Sequence, residues 1–577
     1  MCGIVGYVGS KISIKTAILQ LKKLEYRGYD SSGVAYNQDN KIKTIKKVGQ
    51  IDNLLGAVNN QSSNIMICHT RWATHGEVNQ TNAHPQISYN NKYAVVHNGI
   101  IENYKELKNI IGPEKFISQT DTEVVANWLG QSNKKTIESL IDLSSKIKGS
   151  YSLAIIEEKS KILYVVKNKN PLYVAKVQGG YMVASDICAL DSETYYALPD
   201  GVVGKLSKSK AEFFLDGKKV KLSPLKNLYN FDEVNLQGHK HYMSKEIEET
   251  TKVINNICLR YDTLFEKLFD KDMFEFVGTV FLVGCGTAYH ACLMGASWIQ
   301  RKHKINVSAH IASELRYSNE MIDDNSLVIL VSQSGETADT LAVAQVAKER
   351  GAKIFVVTNV EYSTMAQLAD KVYPLCAGPE IAVASTKAYS AMLSVLYMFA
   401  NHHLPKSEVF ENLSYLSKNL SIKVCLKAVE TIKTAKRIFF IGRSDDGVTA
   451  QEASLKLRET SYLDSCGYYA GELKHGTIAL VEDSVVVVAI ITNDELALKT
   501  INAVEEVASR GAKVIVVTDN ENLDIRFDKI VVPKIKDQEL KSIMTVVPLQ
   551  QLAYEVSTGL GKNPDKPRNL AKSVTVE

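Results

Sequence analysis

Removal of the initiator methionine would leave Cys2 as the first residue, and the small pair Cys2-Gly3 permits that cut. A thiol attacks as its thiolate. A free α-amine on the same residue, with a pKa of about 7.7–8.0, is placed to take the thiol proton. Taken alone, Cys2 is better read as a buried strand cysteine. Other residue sets point toward chemistry. Arg71-Trp72-Ala73-Thr74-His75-Gly76 follows an apolar run and puts a guanidinium, a hydroxyl and a glycine turn in one loop. Arginine suits a bidentate hold on a carboxylate. Asn98-Gly99 follows a second apolar run, and a side-chain amide beside a backbone N–H is the make-up of an oxyanion hole. Asp121 offers a carboxylate to a substrate ammonium. Each also has a structural reading: a salt bridge for Arg71, a hairpin turn for Asn98-Gly99, a helix cap for Asp121.

A second constellation lies far downstream. Ser332-Gln333-Ser334-Gly335-Glu336-Thr337 follows the apolar run Leu327–Val331, with a helix expected near Ala338. Hydroxyls and glycine N–H groups at a strand-to-helix turn form an anion site, aided by the helix dipole. The Walker lysine pattern is missing, which favours a sugar phosphate over ATP. Gly284-Cys285-Gly286-Thr287 offers a similar turn, and Ser385-Thr386-Lys387 adds donors. Lys456 and Glu459 are three apart on a predicted helix and share a face. His475 is bracketed by Gly471 and Gly476. A carboxylate, a lysine and a histidine suit proton transfer beside a carbonyl. A serine-rich helix cap and a solvated surface pair remain the plain structural readings.

The elements that must carry these groups fall into two textures. Up to about residue 230, short β-branched runs (Ile65–Cys68, Tyr93–His97, Tyr151–Glu157, Ile162–Lys167) alternate with turns, as in a sheet-rich domain. One helix is predicted over Gln119–Leu129, capped by Thr120 or Asp121. From about 241, long helical stretches beginning at Lys245–Leu259 alternate with apolar strands, which predicts parallel α/β units. A repeat is visible there: Thr279–Gly284 matches Arg437–Gly442, and Arg350–Asn359 matches Arg510–Asp519. The expected domains are therefore 1–236, two α/β copies at 241–424 and 425–560, and a tail at 561–577. The second copy has Thr492-Asn493-Asp494-Glu495 where the phosphate turn should be, acidic and without glycine, so only the first copy is expected to hold phosphate.

Bulk composition narrows the classes. The 577 residues are 45% hydrophobic and 23% charged, with a net charge of +4, which gives no ground for a nucleic-acid or membrane partner. Nine cysteines without a Cys-x-x-Cys pair argue against a structural metal site and for a reducing cytoplasm. The longest apolar run, Val485–Ile491, is too short to span a bilayer, and no secretory signal opens the chain.

The first constellation resembles the glutaminase domain of the class II amidotransferases, through MCGIVGYVG at 1–9, YRGYDSSG at 26–33, HTRWATHG at 69–76, NAHPQ at 82–86, VVHNGIIENY at 95–104 and SQTDTEV at 118–124. The second resembles the duplicated sugar isomerase (SIS) domains of the glucosamine-6-phosphate synthase family, through CGTAYH at 285–290, SELRY at 313–317, VSQSGETADT at 331–340, VASTKAY at 383–389, LKLRETSY at 455–462, AGELKHG at 470–476 and PRNLAKSVTVE at 567–577. The resemblance implies a four-layer αββα N-terminal-nucleophile domain followed by two flavodoxin-like SIS domains. It implies Cys2 as nucleophile, Asn98 and Gly99 as oxyanion hole, and Arg71, Thr74, His75, Gly76 and Asp121 as glutamine ligands. Arg27 would support the site and Trp72 would gate ammonia.

In the sugar half the resemblance implies Thr287, Ser332, Gln333, Ser334 and Thr337 as phosphate ligands, with Val383, Ala384 and Ser385 lining the sugar. Glu459 would shuttle the proton between C1 and C2, Lys456 would support it, His475 would assist ring opening, and Lys572 would engage the C2 carbonyl. The implied substrates are L-glutamine and fructose 6-phosphate, the implied product the amino sugar phosphate that opens hexosamine synthesis, with no cofactor or metal and a homodimeric assembly. Ala288, Pro379 and Ala382 depart from the family pattern, which bears on sugar affinity. Two other classes stay open: another class II amidotransferase, and a non-catalytic SIS sugar-phosphate sensor.

Overall fold

Alternation along the first strand, Gly3–Ser13, sets the layers of the N-terminal unit. Val5 and Tyr7 join a buried cluster with helices Ile14–Lys22 and Ile51–Ala57, while Ile4 and Val8 point the other way. The second cluster takes Ile65 and Ile67 from one sheet and Ala94, Val96, Ala154 and Ile156 from another, so it lies between two sheets. A third cluster packs Val95, Leu153 and Ile155 against helices Tyr104–Ile111, Glu123–Gln131 and Thr136–Ser144. The period-two alternation of strand side chains thus gives helix, sheet, sheet, helix, the expected αββα order. The sheets have eight and seven strands.

This is a computed structural model; it describes all residues except 1, 73–75, 228–234, 276, 319–321 and 575–577. By contacts the chain divides into two units, residues 1–231 with 571–577, and residues 232–570.

The second unit holds two five-stranded parallel sheets. The first runs in the order Val307–Ile311, Thr279–Gly284, Ser326–Ser332, Lys353–Thr358, Lys371–Pro374, and the second in the order Ser465–Tyr469, Arg437–Gly442, Val485–Ile491, Lys513–Thr518, Asp528–Val531. Both are 2-1-3-4-5, the flavodoxin-like order, whose ligand crevice lies at the carboxyl ends of strands 1 and 3. Ser326–Ser332 and Val485–Ile491 are buried along their whole length, as strands covered on both faces must be. One buried cluster runs through both copies.

Two expectations shift locally. The helix predicted from Gln119 begins at Glu123, and its cap is Thr122 without a side-chain bond, not Thr120 or Asp121. Glu123 instead accepts the N–H groups of Ile117 and Ser118 and so fixes an irregular turn before the helix. The predicted Lys245–Leu259 stretch is two helices, Tyr242–Glu248 and Thr250–Asp262.

Candidate active site

Antiparallel register decides where Cys2 falls. Gly3 pairs with Thr70, which sets Cys2 beside Arg71 and Trp72 at the end of strand Ser62–Arg71. The Trp72 N–H donates to Cys2 Sγ at 3.2 Å, and Sγ lies 3.5 Å from the Trp72 carbonyl. Cys2, Arg71, Trp72, Gly99 and Asp121 line one small pocket. Asn98, on strand Tyr93–Ile101 of the other sheet, donates from Nδ2 to the Cys2 carbonyl at 2.8 Å. Gly99 has φ +127°, and a Cβ there would lie 1.9 Å from the Ser150 carbonyl oxygen, so only glycine fits. Burial pushes the Cys2 thiol up, opposed by the positive chain terminus, the Trp72 N–H and the Arg71 guanidinium. A thiol so held needs a nearby base to become a thiolate.

Asp121 is held by the Ile101 N–H, which donates to Oδ2 at 2.8 Å. The Arg71 guanidinium reaches the carbonyls of Gly76 and Glu77 at 3.4 and 3.3 Å. Thr74 and His75 lie outside the described residues. Arg27 pairs with Asp186, which also accepts from Tyr26 at 2.7 Å. His84, His97 and Thr122 also line the pocket, while His69 bonds Asn98 and Asn82 bonds Gln119 nearby; the sequence pattern assigns none of them a role. His84 and His97 both bond Thr122 Oγ1, at 2.7 and 2.9 Å. The signal for them was present in the HTRWATHG, NAHPQ, VVHNG and SQTDTEV motifs.

In the first SIS copy, Ser332 ends its strand and Thr337 caps helix Ala338–Glu349. Ser332 Oγ lies 3.0 Å from Thr337 Oγ1 and accepts the Gly335 N–H at 3.1 Å, and Ser334 Oγ accepts the Glu336 N–H at 3.2 Å. Gly335 has φ +65°, and a Cβ would meet Ser363 Oγ at 2.0 Å. The Gln333 carbonyl accepts the Asn359 N–H at 3.1 Å. Ser385 Oγ donates to Glu380 at 2.9 Å, Ala384 is buried, and the Val383 N–H donates to the Asp565 carbonyl at 3.1 Å.

The helix Asp445–Ser461 of the second copy brings its own charges to the first. Lys456 Nζ donates to Thr287 Oγ1 at 2.9 Å and to Glu459 Oε2 at 2.7 Å. Glu452, fully buried one turn earlier, lies 3.6 Å from Lys456 and takes His290 Nδ1 at 2.7 Å. Burial acts to lower the Lys456 pKa, but Glu459 and Glu452 outweigh it and raise the value, so the ammonium stays charged. His290 and Glu452 were missed in the sequence, although Glu452 stands i, i+4 to Lys456 and was open to the same helix-face argument. His475 stands exposed on the 3-10 turn Glu472–His475 and makes no hydrogen bond or ion pair with Lys456 or Glu459 among the described residues. Lys572 falls in the terminal stretch that groups with the first unit.

The turn of the second copy is filled by its own carboxylate. Asp446 accepts the N–H groups of Thr492 and Asn493 at 2.9 and 3.3 Å and the Thr492 hydroxyl at 2.5 Å. By the repeat, Asp446 stands where the first copy has Ala288.

A thiol beside the Trp72 N–H and the Asn98 amide in a four-layer sandwich, followed in the chain by two sheets of 2-1-3-4-5 order, places the chain in the class of glutamine amidotransferases fused to sugar isomerase folds. Residues 69–192 match the glutamine amidotransferase domain family, and residues 274–402 and 431–558 match the SIS domain family. A curated relative from Clostridium tetani, named glutamine–fructose-6-phosphate aminotransferase (isomerizing), is 42% identical over the full length of both chains. A relative of the same name from Caldanaerobacter subterraneus is 39% identical, again over all of both chains. The solved C-terminal domain of glucosamine-fructose-6-phosphate aminotransferase from Francisella tularensis superposes with a TM-score of 0.53 at 32% identity, covering 58% of this chain and 99% of that one. The chain belongs to the glutamine–fructose-6-phosphate aminotransferase (isomerizing) family.

Among the described residues, no helix is long and apolar enough to cross a membrane, and no group of three or more His, Cys, Asp or Glu residues is placed to hold a metal ion.

Proposed function

We propose that the chain converts fructose 6-phosphate and L-glutamine to glucosamine 6-phosphate and glutamate, through glutamine hydrolysis at Cys2 and amination with isomerisation at the SIS site. The observation that carries this reading is the pairing of two separate chemistries in one chain, a thiol with an amide donor 2.8 Å from its own carbonyl, and a Lys456–Glu459 pair set against Thr287.

At the first site the α-amine of Cys2 takes the thiol proton and the sulfur attacks the glutamine amide carbon. Asn98 Nδ2 and the Gly99 N–H receive the negative charge on the carbonyl oxygen. Collapse of the tetrahedral adduct expels ammonia, which leaves with the transferred proton, and water then cleaves the thioester to glutamate. Arg71 holds the substrate carboxylate and Asp121 its ammonium, with Thr74, His75 and Gly76 completing the grip. Trp72, whose backbone brackets the thiol, is the proposed ammonia gate.

At the second site Ser332, Gln333, Ser334, Thr337 and Thr287 take the phosphate, and Val383, Ala384 and Ser385 line the sugar. His475 assists ring opening, and Glu459 moves the proton between C2 and C1 with the Lys456 ammonium bonded beside it. Asp446 supports a single phosphate site per chain, because the equivalent turn already holds an anion. Nine free thiols among the described residues fit a cytoplasmic setting, and a homodimer is the proposed assembly. The reading is tested by incubating purified protein with both substrates and measuring glucosamine 6-phosphate. Glutamate without amino sugar would favour another amidotransferase, and sugar-phosphate binding without either product would favour a sensor.

A further inference from the structure

We propose that His69 is the positioning residue that sets the orientation of the Asn98 amide, by donating from Nε2 to Asn98 Oδ1 and thereby turning the Asn98 NH2 group toward the nucleophile. The inference rests on the roles of Cys2 and Asn98 given above.

His69 lies two residues before Arg71 on strand Ser62–Arg71 and is fully buried. Its Nε2 is 2.9 Å from the His97 carbonyl oxygen and 3.2 Å from Asn98 Oδ1. A carbonyl oxygen can only accept, so Nε2 carries the proton and the imidazole is the Nε2–H tautomer. The same proton faces Asn98. With Oδ1 toward His69, the Asn98 Nδ2 faces the Cys2 carbonyl and donates at 2.8 Å. With the amide turned over, Nδ2 would face the His69 donor, and Oδ1 would face the Cys2 carbonyl oxygen. Both contacts would become repulsive together. Two hydrogen bonds therefore select one of two amide orientations, and only that one aims a donor at the reacting centre.

The histidine is built to stay a neutral donor. Burial pushes its pKa down to about 3, opposed by the bonds to the His97 carbonyl and Asn98 and aided by the charges of the His97 ring and Arg71. Its ring packs on His84, with centroids 4.4 Å apart. Nδ1 finds no hydrogen-bond partner among the described residues, so the imidazole has one committed nitrogen and that nitrogen serves the Asn98 side. The backbone of Asn98 is fixed independently, by Asn170 Nδ2 donating to the Asn98 carbonyl at 3.0 Å. What His69 adds is the direction of the side chain alone.

The experiment compares His69→Leu, His69→Gln, Asn98→Ala and the double variant His69→Leu/Asn98→Ala in the full chain, measuring glutaminase kcat and KM and the thermal midpoint of each. Removal of an oxyanion donor costs about 10²–10³ in kcat, and a donor left free to turn over is expected to lose about 10- to 100-fold. His69→Leu should show that loss in kcat with KM for glutamine nearly unchanged. His69→Gln, whose amide N–H can reach Oδ1, should restore kcat to within about 5-fold. The double variant should be no slower than Asn98→Ala, since a residue acting through Asn98 adds nothing once Asn98 is gone. If His69→Leu fails to fold, His69→Asn, too short to reach Oδ1, takes its place. Wild-type kcat in folded His69→Leu, an equal loss in folded His69→Gln, or a further loss in the double variant would overturn the positioning role. Wild-type kcat in Asn98→Ala would overturn the oxyanion assignment itself and His69's role with it.

Discussion

Lys456 Nζ and Glu459 Oε2 are 2.7 Å apart on one face of helix Asp445–Ser461, and Lys456 bonds Thr287 of the other SIS copy from the same nitrogen. The ammonium is almost wholly buried while the carboxylate keeps about a fifth of its side chain exposed, 1% against 20%. The pair therefore presents Glu459 to the site and keeps Lys456 behind it. An anionic Glu459 is what a base for C–H proton transfer requires.

Glu459→Gln is expected to lower amino sugar formation by about 10²–10⁴-fold, the usual share of a general acid–base group, while glutamine hydrolysis stays near wild type. Solvent hydrogen exchange at C1 of the hexose phosphate is the readout. Exchange at the wild-type rate would remove Glu459 from the proton-transfer role.

Phosphate recognition is expected in the first copy only. Thr337→Val removes a hydroxyl that stands 3.0 Å from Ser332 Oγ in the phosphate turn. A hydrogen bond to a charged group is worth about 1.5–3 kcal/mol, or about 10- to 150-fold in affinity for fructose 6-phosphate. Thr492→Val removes a hydroxyl already committed to Asp446 and should leave that affinity unchanged in folded protein. Calorimetric titration of both variants decides the matter; equal losses would refute the asymmetry.

Asp446 gives a pH signature. Burial, opposed by its bonds to Thr492 and Asn493, raises its pKa from 3.8 to about 6. A carboxyl whose folded value lies above its unfolded one favours the native state when protonated. Its contribution is full below about pH 4 and is lost as pH rises through about 6, amounting to at most about 3 kcal/mol. Asn at 446 keeps an acceptor for both N–H groups without the charge. Asp446→Asn should therefore unfold at a higher temperature than wild type at pH 7.5, and the difference should shrink toward pH 4. A wild-type advantage at pH 7.5 would contradict the assignment.

Much of this architecture is legible in the sequence. The strand pairs Thr279–Gly284 with Arg437–Gly442 stand at the same place in two sheets of the same order, because parallel strands buried on both faces leave continuous apolar runs. The αββα layering was not legible from pattern: strands of both sheets alternate alike, and which face meets a helix is decided by pairing partners far away in sequence. The helix start at Glu123 was missed because Glu123 bonds backward to Ile117 and Ser118, a local arrangement with no periodic trace. The His290–Glu452 pair spans 162 residues and leaves no spacing signal. Its members show only as neighbours of residues already chosen.

Because two chemistries in one chain are the central claim, the most direct measurement follows both products in wild type and Cys2→Ala with glutamine and fructose 6-phosphate supplied together. Wild type should form glutamate and glucosamine 6-phosphate in equal amounts. Cys2→Ala should form neither, while still binding fructose 6-phosphate with wild-type affinity. Glutamine turnover that survives in Cys2→Ala, or wild-type glutamate release with no amino sugar, would contradict it.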